Sequence, residues 1–496
     1  MSLIRHSAWA AAAAVTLTLA RFALVAVVAR RLSQAGFGQF VYAQWLVDLT
    51  FLVCSFGATG VVGRYVAEFR TRPERLVTFI VRWRPFAFGL PLLTGSAVLL
   101  GAGLSGLRLG GVALVMLALW AVTNGLWAMQ TAALVGLQRF DLIFRANVLA
   151  ATVMVTGALV LPLQGSSGAL LFGLMATACG VAATLGSVAI KQLSAGAGES
   201  IEPSGWRGIR GYAFNIWVTA LLWSLVWSRG ELPIVRAYLG DAGVAQYAAA
   251  ITLFGGAMQG VMLAAAGVAP QLTMLWGSGR RDEANATART VMDVQLLLCG
   301  SAALLLICLG PELVSLAFGS AYRQAAAPLV VFAVGLLAMS VSSQNHVLQI
   351  ATNARFGRNT TLFGLLLLFG IAVLLTPLLG LTGAAIARAG TMLLLTIISL
   401  VVVNRRWGAA AITWRNVVLV TTVVFAVAVV VALGSSLTTM PRSILLGIGW
   451  ALLAVSVRDR HDRLLSTHMP RFLWARIGRF EDRPPQLAKA INVKGA

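Results

Sequence analysis

Charge is what this chain has least of. Only 11% of its 496 residues are charged, against about 25% in an ordinary soluble domain. The 16 Asp and Glu are too few and too scattered for an acidic catalytic cluster. Cysteine is as scarce: Cys54, Cys179, Cys299 and Cys308 all lie in apolar blocks without metal-ligand spacing, and read as small core residues. The alternating ten-residue strands of a closed β-barrel are missing. No GxxxxGK[ST] segment occurs, so direct ATP hydrolysis is not expected and no cofactor is implied.

What is present is apolar sequence. Hydrophobic residues make up 59% of the chain, and the mean hydropathy is +0.85. They come in blocks of about twenty, long enough as helix to cross a ~30 Å hydrocarbon core. The reading is an all-α polytopic membrane protein with about 14 transmembrane helices. The N-terminus, Arg5 followed by "AWAAAAAVTLTLA", imitates a secretory signal. The apolar run, however, continues past Arg21 to Val28, so an uncleaved first span is expected.

A net charge of +22 and a pI near 11.5 would suit a nucleic-acid partner, but the placement of the charges argues against one. With the N-terminus inside, 29 of the 38 Lys and Arg fall in alternate connections and the tail. That is the positive-inside pattern, with both termini cytoplasmic. The longest aqueous segments are 191–211 and the tail after Val457, which is basic, carries Phe472 and Trp474, and is expected to lie on anionic membrane lipids. The division that follows is an N-terminal six-helix bundle (1–197), a cytoplasmic linker (198–211), a C-terminal six-helix bundle (212–403), an additional helix pair (404–457) and a basic tail (458–496).

The halves carry traces of one another. At an offset of 207, Leu32, Ala35, Gly36, Gln39 and Ala43 meet Leu239, Ala242, Gly243, Gln246 and Ala250, and Phe40 meets Tyr247. Farther on, "ALVGLQRF" (133–140) faces "QIATNARF" (349–356), sharing Arg139-Phe140 with Arg355-Phe356. The same order at nearly the same offset predicts a duplication and two pseudo-symmetric bundles. Transporters of this plan bind substrate between the halves and rock one against the other.

At these residues the sequence resembles a known family. "ARRLSQAGFGQFVYA" followed by "GATGVVGRYVAEFR" (57–70) is similar to the opening of bacterial Wzx-type polysaccharide flippases. These belong to the multidrug/oligosaccharidyl-lipid/polysaccharide exporter (MOP) superfamily, and "LVGLQRF" and "NARFGRN" fit the family's corresponding turns. The resemblance runs to about residue 403. It implies a V-shaped bundle that carries undecaprenyl-pyrophosphate-linked oligosaccharide to the periplasmic leaflet. A further helix pair beyond the twelve is common in the superfamily. The implied partners are the lipid-linked oligosaccharide, membrane lipids, and a polysaccharide polymerase with its chain-length machinery.

Several charges stand where lipid-soluble sequence should have none. Arg21 is ten residues from Arg31, roughly 15 Å along a helix, too far to snorkel easily. An arginine at that depth costs about 2.5–3.5 kcal/mol on insertion scales, so something must compensate. Asp48 lies ten residues into the next span, at matching depth. The pair reads either as structural or as the wall of a wet cavity. Arg229 falls within one residue of the position pseudo-equivalent to Arg21, with Glu231 two residues on. Gly230 and Pro233 make a regular helix doubtful there. Arg388 is a third deep arginine. Three permanently charged, bidentate donors suit a pyrophosphate.

Neutral polar residues extend the pattern. "SVSSQNHVLQIATN" places Ser342, Asn345, Gln349 and Asn353 at helical spacing with His346 beside them. Gln130 falls opposite His346 at an offset of 216, and Asn124 shares its span. Interhelical hydrogen bonding is one reading and a sugar path the other. His346 has no partner at metal-ligand spacing, so no metal is assigned. Trp223 and Trp227, at i and i+4, read as an interface belt, with sugar stacking as the alternative. The leading reading is a lipid-linked oligosaccharide flippase and not an enzyme. The alternatives are a drug or cation antiporter of the same superfamily, which would lean on buried carboxylates, and a polytopic glycosyltransferase or polymerase.

Overall fold

In hydrocarbon every backbone N–H and C=O has to be satisfied within its own segment, so apolar runs of this length fold as helices. The computed structural model describes residues 3–69, 73–107, 109–162, 168–194, 206–264, 268–352, 355–407, 414–433 and 440–453, and among them no strand occurs. The first half contains α1 (Leu3–Arg31), α2 (Gln34–Cys54), α3 (Ala58–Phe69), α4 (Pro73–Leu104), α5 (Gly111–Gly136), α6 (Phe140–Val160) and α7 (Gly168–Ser194). The second contains α8 (Trp206–Ser224), α9 (Leu232–Ala264), α10 (Val268–Gly277), α11 (Arg281–Phe318), α12 (Ala326–Gly335), α13 (Ser342–Ala351) and α14 (Arg355–Trp407). Two peripheral helices follow, α15 (Trp414–Leu433) and α16 (Met440–Leu453).

Among the described residues, eleven helices are long and apolar enough to cross a membrane. Two of these, of 54 and 52 residues, would be about 80 Å long if straight, more than twice the hydrocarbon thickness. Each contains a glycine in the left-handed region, Gly240 (φ 67°) and Gly380 (φ 60°), which only a residue without Cβ adopts freely. The chain doubles back at both. Tyr247 reaches Glu231 across the first break, and a Cβ on Gly364 would lie 2.6 Å from Leu395 across the second. With those two divided and the shorter α16 included, the apolar crossings are the fourteen expected. Helix α8 begins at Trp206, inside the segment 198–211 read as linker, and α14 runs to Trp407. The rest of that linker and the tail 458–496 lie outside the described residues.

Local signals set the turns. Ser33 caps α2, its Oγ accepting the Gly36 N–H at 3.1 Å. Gln138 takes a positive φ (56°) just before α6, and Arg139 closes on Asp141 at 3.0 Å over the first turn of that helix. That ion pair raises the Arg139 pKa, with the hydrogen bond to Asp141 as the main cause. The duplication read from the sequence also appears as packing. Phe40 stacks on Trp120 at 6.1 Å in the first half, and Tyr247 meets Phe332 edge-on at 5.3 Å in the second.

The repeated motif itself forms the junction between halves. It lies at the turn face, where α1 hands over to α2 and where Gly240 breaks the chain. A Cβ on Gly38 would lie 1.8 Å from the Asp241 carbonyl oxygen, so the two backbones touch and only glycine fits. Gln39 donates to Asp241 Oδ2 at 3.0 Å and Arg236 to Oδ1 at 2.7 Å. The same Arg236 donates to the Ser105 carbonyl at 2.8 Å and lies over the Tyr42 ring at 4.3 Å. Gln34 and Gln246 converge on the Ala321 carbonyl at 2.7 and 2.9 Å. A second seam runs along α8, where Trp217 donates to the Leu52 carbonyl at 3.0 Å and Arg64 lies 4.4 Å from the Tyr212 ring centre.

Candidate functional site: a divided polar centre

Below the turn-face junction, α1, α2, the α8–α9 region and α14 bring five charged side chains toward the middle of the bundle. Arg21 of α1 and Asp48 of α2 are both exposed, and Arg229 is half-buried. Two cations act on the Asp48 carboxylate: Arg21 most strongly, then Arg229 from the other half. Asn124 of α5 lies beside the same carboxylate. Arg21 and Asp48 are not in direct contact. Among the described residues neither Arg21 nor Arg229 makes a side-chain hydrogen bond or a close ion pair, so their donors are unspent.

The two remaining candidates, Glu231 and Arg388, behave differently. The sequence reading put both on the cavity wall. In the structure they are withdrawn from it, at 0% and 2% exposure. Arg388 Nη1 bridges both Glu231 oxygens at 3.0 and 3.1 Å, and its Nη2 donates to the Trp227 carbonyl at 2.7 Å. Tyr247 donates its phenol to Glu231 Oε1 at 2.5 Å. The physical reason is local geometry. Leu225–Arg229 is a π-helical turn, and Gly230 packs so tightly that a Cβ would lie 2.1 Å from the Leu225 carbonyl oxygen. The wider turn frees the Trp227 carbonyl for Arg388 and turns Glu231 away from Arg229.

Neutral polar residues line one cavity in each half. In the first, Gln130 borders a cavity of about 320 Å³ between α3, α4, α5 and α7, donating to Ser187 Oγ at 2.6 Å. Its Oε1 is buried without a partner. In the second, Asn345 and His346 border a cavity of about 440 Å³ together with Trp223 and Trp227, whose rings stack 5.2 Å apart. His346 Nε2 lies 3.1 Å from Thr273 Oγ1, and Asn345 Oδ1 is buried without a partner. The sequence pairing of Gln130 with His346 therefore corresponds to one cavity per half. No group of three or more metal-ligating side chains occurs among the described residues.

Two functional contacts escaped the sequence reading. Tyr247 was matched to Phe40 as an aromatic, and the hydroxyl that distinguishes the copies is what binds Glu231. Asp241 lies next to the broken Gly240, and nothing in its spacing announced that Gln39 and Arg236 would both close on it.

No family model and no curated protein matches the chain. Solved structures do. An inward-facing multidrug-resistance MATE family transporter of the MOP superfamily aligns with a TM-score of 0.60 at 15% identity, over 79% of this chain and 95% of that one. The lipid II flippase MurJ, in an inward closed conformation, aligns at 0.59 and 11% identity, over 90% and 98%. A MOP superfamily transporter from Pyrococcus furiosus, described as having a binding pocket of reversed polarity, aligns at 0.59 and 16% identity, over 83% and 96%. At such identities the likeness concerns the fold. This chain is a multi-pass helical membrane protein with the fold of MOP-superfamily transporters.

Proposed function

We propose that this protein is a flippase that moves undecaprenyl-pyrophosphate-linked oligosaccharide units from the cytoplasmic to the periplasmic leaflet for surface polysaccharide synthesis. The observation that carries this reading is the pair Arg21 and Arg229: one from each half, solvent-accessible, with unspent guanidinium donors. With Asp48 between them the accessible group has a net charge of +1, which favours an anionic substrate. A pyrophosphate accepts bidentate hydrogen bonds from such donors. The stacked Trp223 and Trp227, which border the second-half cavity with Asn345 and His346, offer an aromatic face suited to a glycan. In this reading both termini are cytoplasmic, the protein lies in the inner membrane, and a polymerase with its chain-length machinery receives the product.

The test is the lipid-linked sugar pool of the native host after deletion of the gene, measured by mass spectrometry. A complete repeat unit accumulating on undecaprenyl pyrophosphate, with surface polysaccharide lost, is the expected result. A pool stalled one sugar short would point to a transferase. The second reading, cation or drug antiport, draws on the accessible carboxylate of Asp48. It would leave the pool unchanged and give drug sensitivity instead.

A further inference from the structure

Six arginines belong neither to the central charged group nor to the basic connections: Arg30, Arg31, Arg108, Arg236, Arg323 and Arg442. Arg236 is spent on Asp241 and two carbonyls, and Arg31 donates to the Leu161 carbonyl at 3.2 Å. Three others, Arg30, Arg323 and Arg442, line a single pocket of about 1020 Å³ at the turn face, between α11, α12, α15 and α16. One carboxylate, Glu312, lines it with them, which leaves a net charge of +2.

Each guanidinium is held differently. Arg30 Nε donates to the Ala317 carbonyl at 3.1 Å and Nη2 to that of Leu316, which ties it to the end of α11 and leaves Nη1. Arg323 is exposed and forms no ion pair among the described residues. Arg442 is 9% exposed, and its Nε has no hydrogen-bond partner. Its Nη1 is 3.9 Å from Glu312 Oε1, too far for a hydrogen bond. Arg442 is also the third residue of α16, where the positive end of the helix dipole disfavours a cation and favours an anion. Glu312 is thus a distant counter-charge for a buried arginine at a helix N-terminus, and the Nε donor stays unmet. Much of the rest of the wall is apolar, including Ile307, Val330 and Val431, and Leu316 at its edge is 74% exposed.

We propose that this pocket binds the phosphate of an anionic phospholipid from the leaflet at the turn face, with acyl chain against the apolar wall. Guanidinium forks match a phosphodiester, and the volume exceeds what a bare phosphate ion fills. The assignment is independent of the transport reading.

The test uses the purified full-length protein in neutral detergent, by native mass spectrometry and thermal unfolding. Phosphatidylglycerol, phosphatidylcholine and inorganic phosphate are added separately. Expected are retention of phosphatidylglycerol and a rise in unfolding temperature with it, but not with phosphatidylcholine. Arg323→Ala and Arg442→Gln each weaken phosphatidylglycerol binding roughly tenfold. Should Arg442→Gln fail to fold, the exposed Arg323 decides. Inorganic phosphate alone producing the same shift would overturn the lipid source and assign a free-ion site. No preference for the anionic lipid, or binding unchanged in Arg323→Ala, would overturn the site.

Discussion

Two charged groups stand side by side in the centre of this bundle, and they are opposites in construction. Arg21, Asp48 and Arg229 are accessible, separated, and drawn from both halves. Glu231, Tyr247 and Arg388 are dry, in direct contact, and confined to the second half. In the dry group the guanidinium is committed to a carboxylate and a carbonyl, which makes it a structural element. In the wet group the donors are uncommitted, so a ligand meets no competitor. Depth in the membrane alone therefore does not identify a binding arginine; the state of its hydrogen bonds does.

The comparison breaks most visibly at Arg388. Arg388→Ala leaves the Glu231 carboxylate buried and unpaired, and should destabilise the protein by about 3–5 kcal/mol. Thermal unfolding in detergent would register it. Adding Glu231→Gln removes the stranded charge and should recover part of the loss. A second site tolerating Arg388→Ala without change would mean the pair is not structural.

Arg21→Ala and Arg229→Ala should do the reverse. Neither donor holds the fold together, so stability should move by less than about 1 kcal/mol. Flipping of a pyrophosphate-linked glycolipid in proteoliposomes should fall at least roughly tenfold for each, about 1.4 kcal/mol. Full activity in the double variant would remove the cationic cavity from the mechanism.

Tyr247→Phe tests the edge of the dry group. It deletes one hydrogen bond to Glu231 while Arg388 remains, so the expected loss is about 1–2 kcal/mol in stability, with transport kept. A loss of transport without loss of stability would move Tyr247 into the working site.

Much of this architecture was legible before any coordinates. Apolar length gave the crossings, and the repeat at Gln39 and Gln246 marked what proves to be the inter-half junction. The position of Arg21 against Asp48 followed from counting residues along two antiparallel helices. The partner of Arg388 did not follow, because it depends on the π-turn at Leu225–Arg229, and a one-residue change in helical register is not a compositional signal. The hairpins at Gly240 and Gly380 were legible as boundaries, whereas the contacts across them were not.

The smallest effect is the most discriminating. Asp48→Asn keeps the shape and the Asn124 neighbour but raises the net charge of the accessible group from +1 to +2. Because the carboxylate is solvent-accessible and not in contact with either arginine, the stability cost should stay below about 1 kcal/mol. For an anionic substrate the added positive potential can only help binding, so the flipping rate should hold or rise by no more than a few-fold. For a cation antiporter, Asp48 would be the accessible carboxylate between the halves, and its loss would abolish exchange. Measuring pyrophosphate-lipid flipping and cation-coupled drug uptake on the same Asp48→Asn preparation thus reads the sign of the substrate's charge directly, with the fold as an internal control.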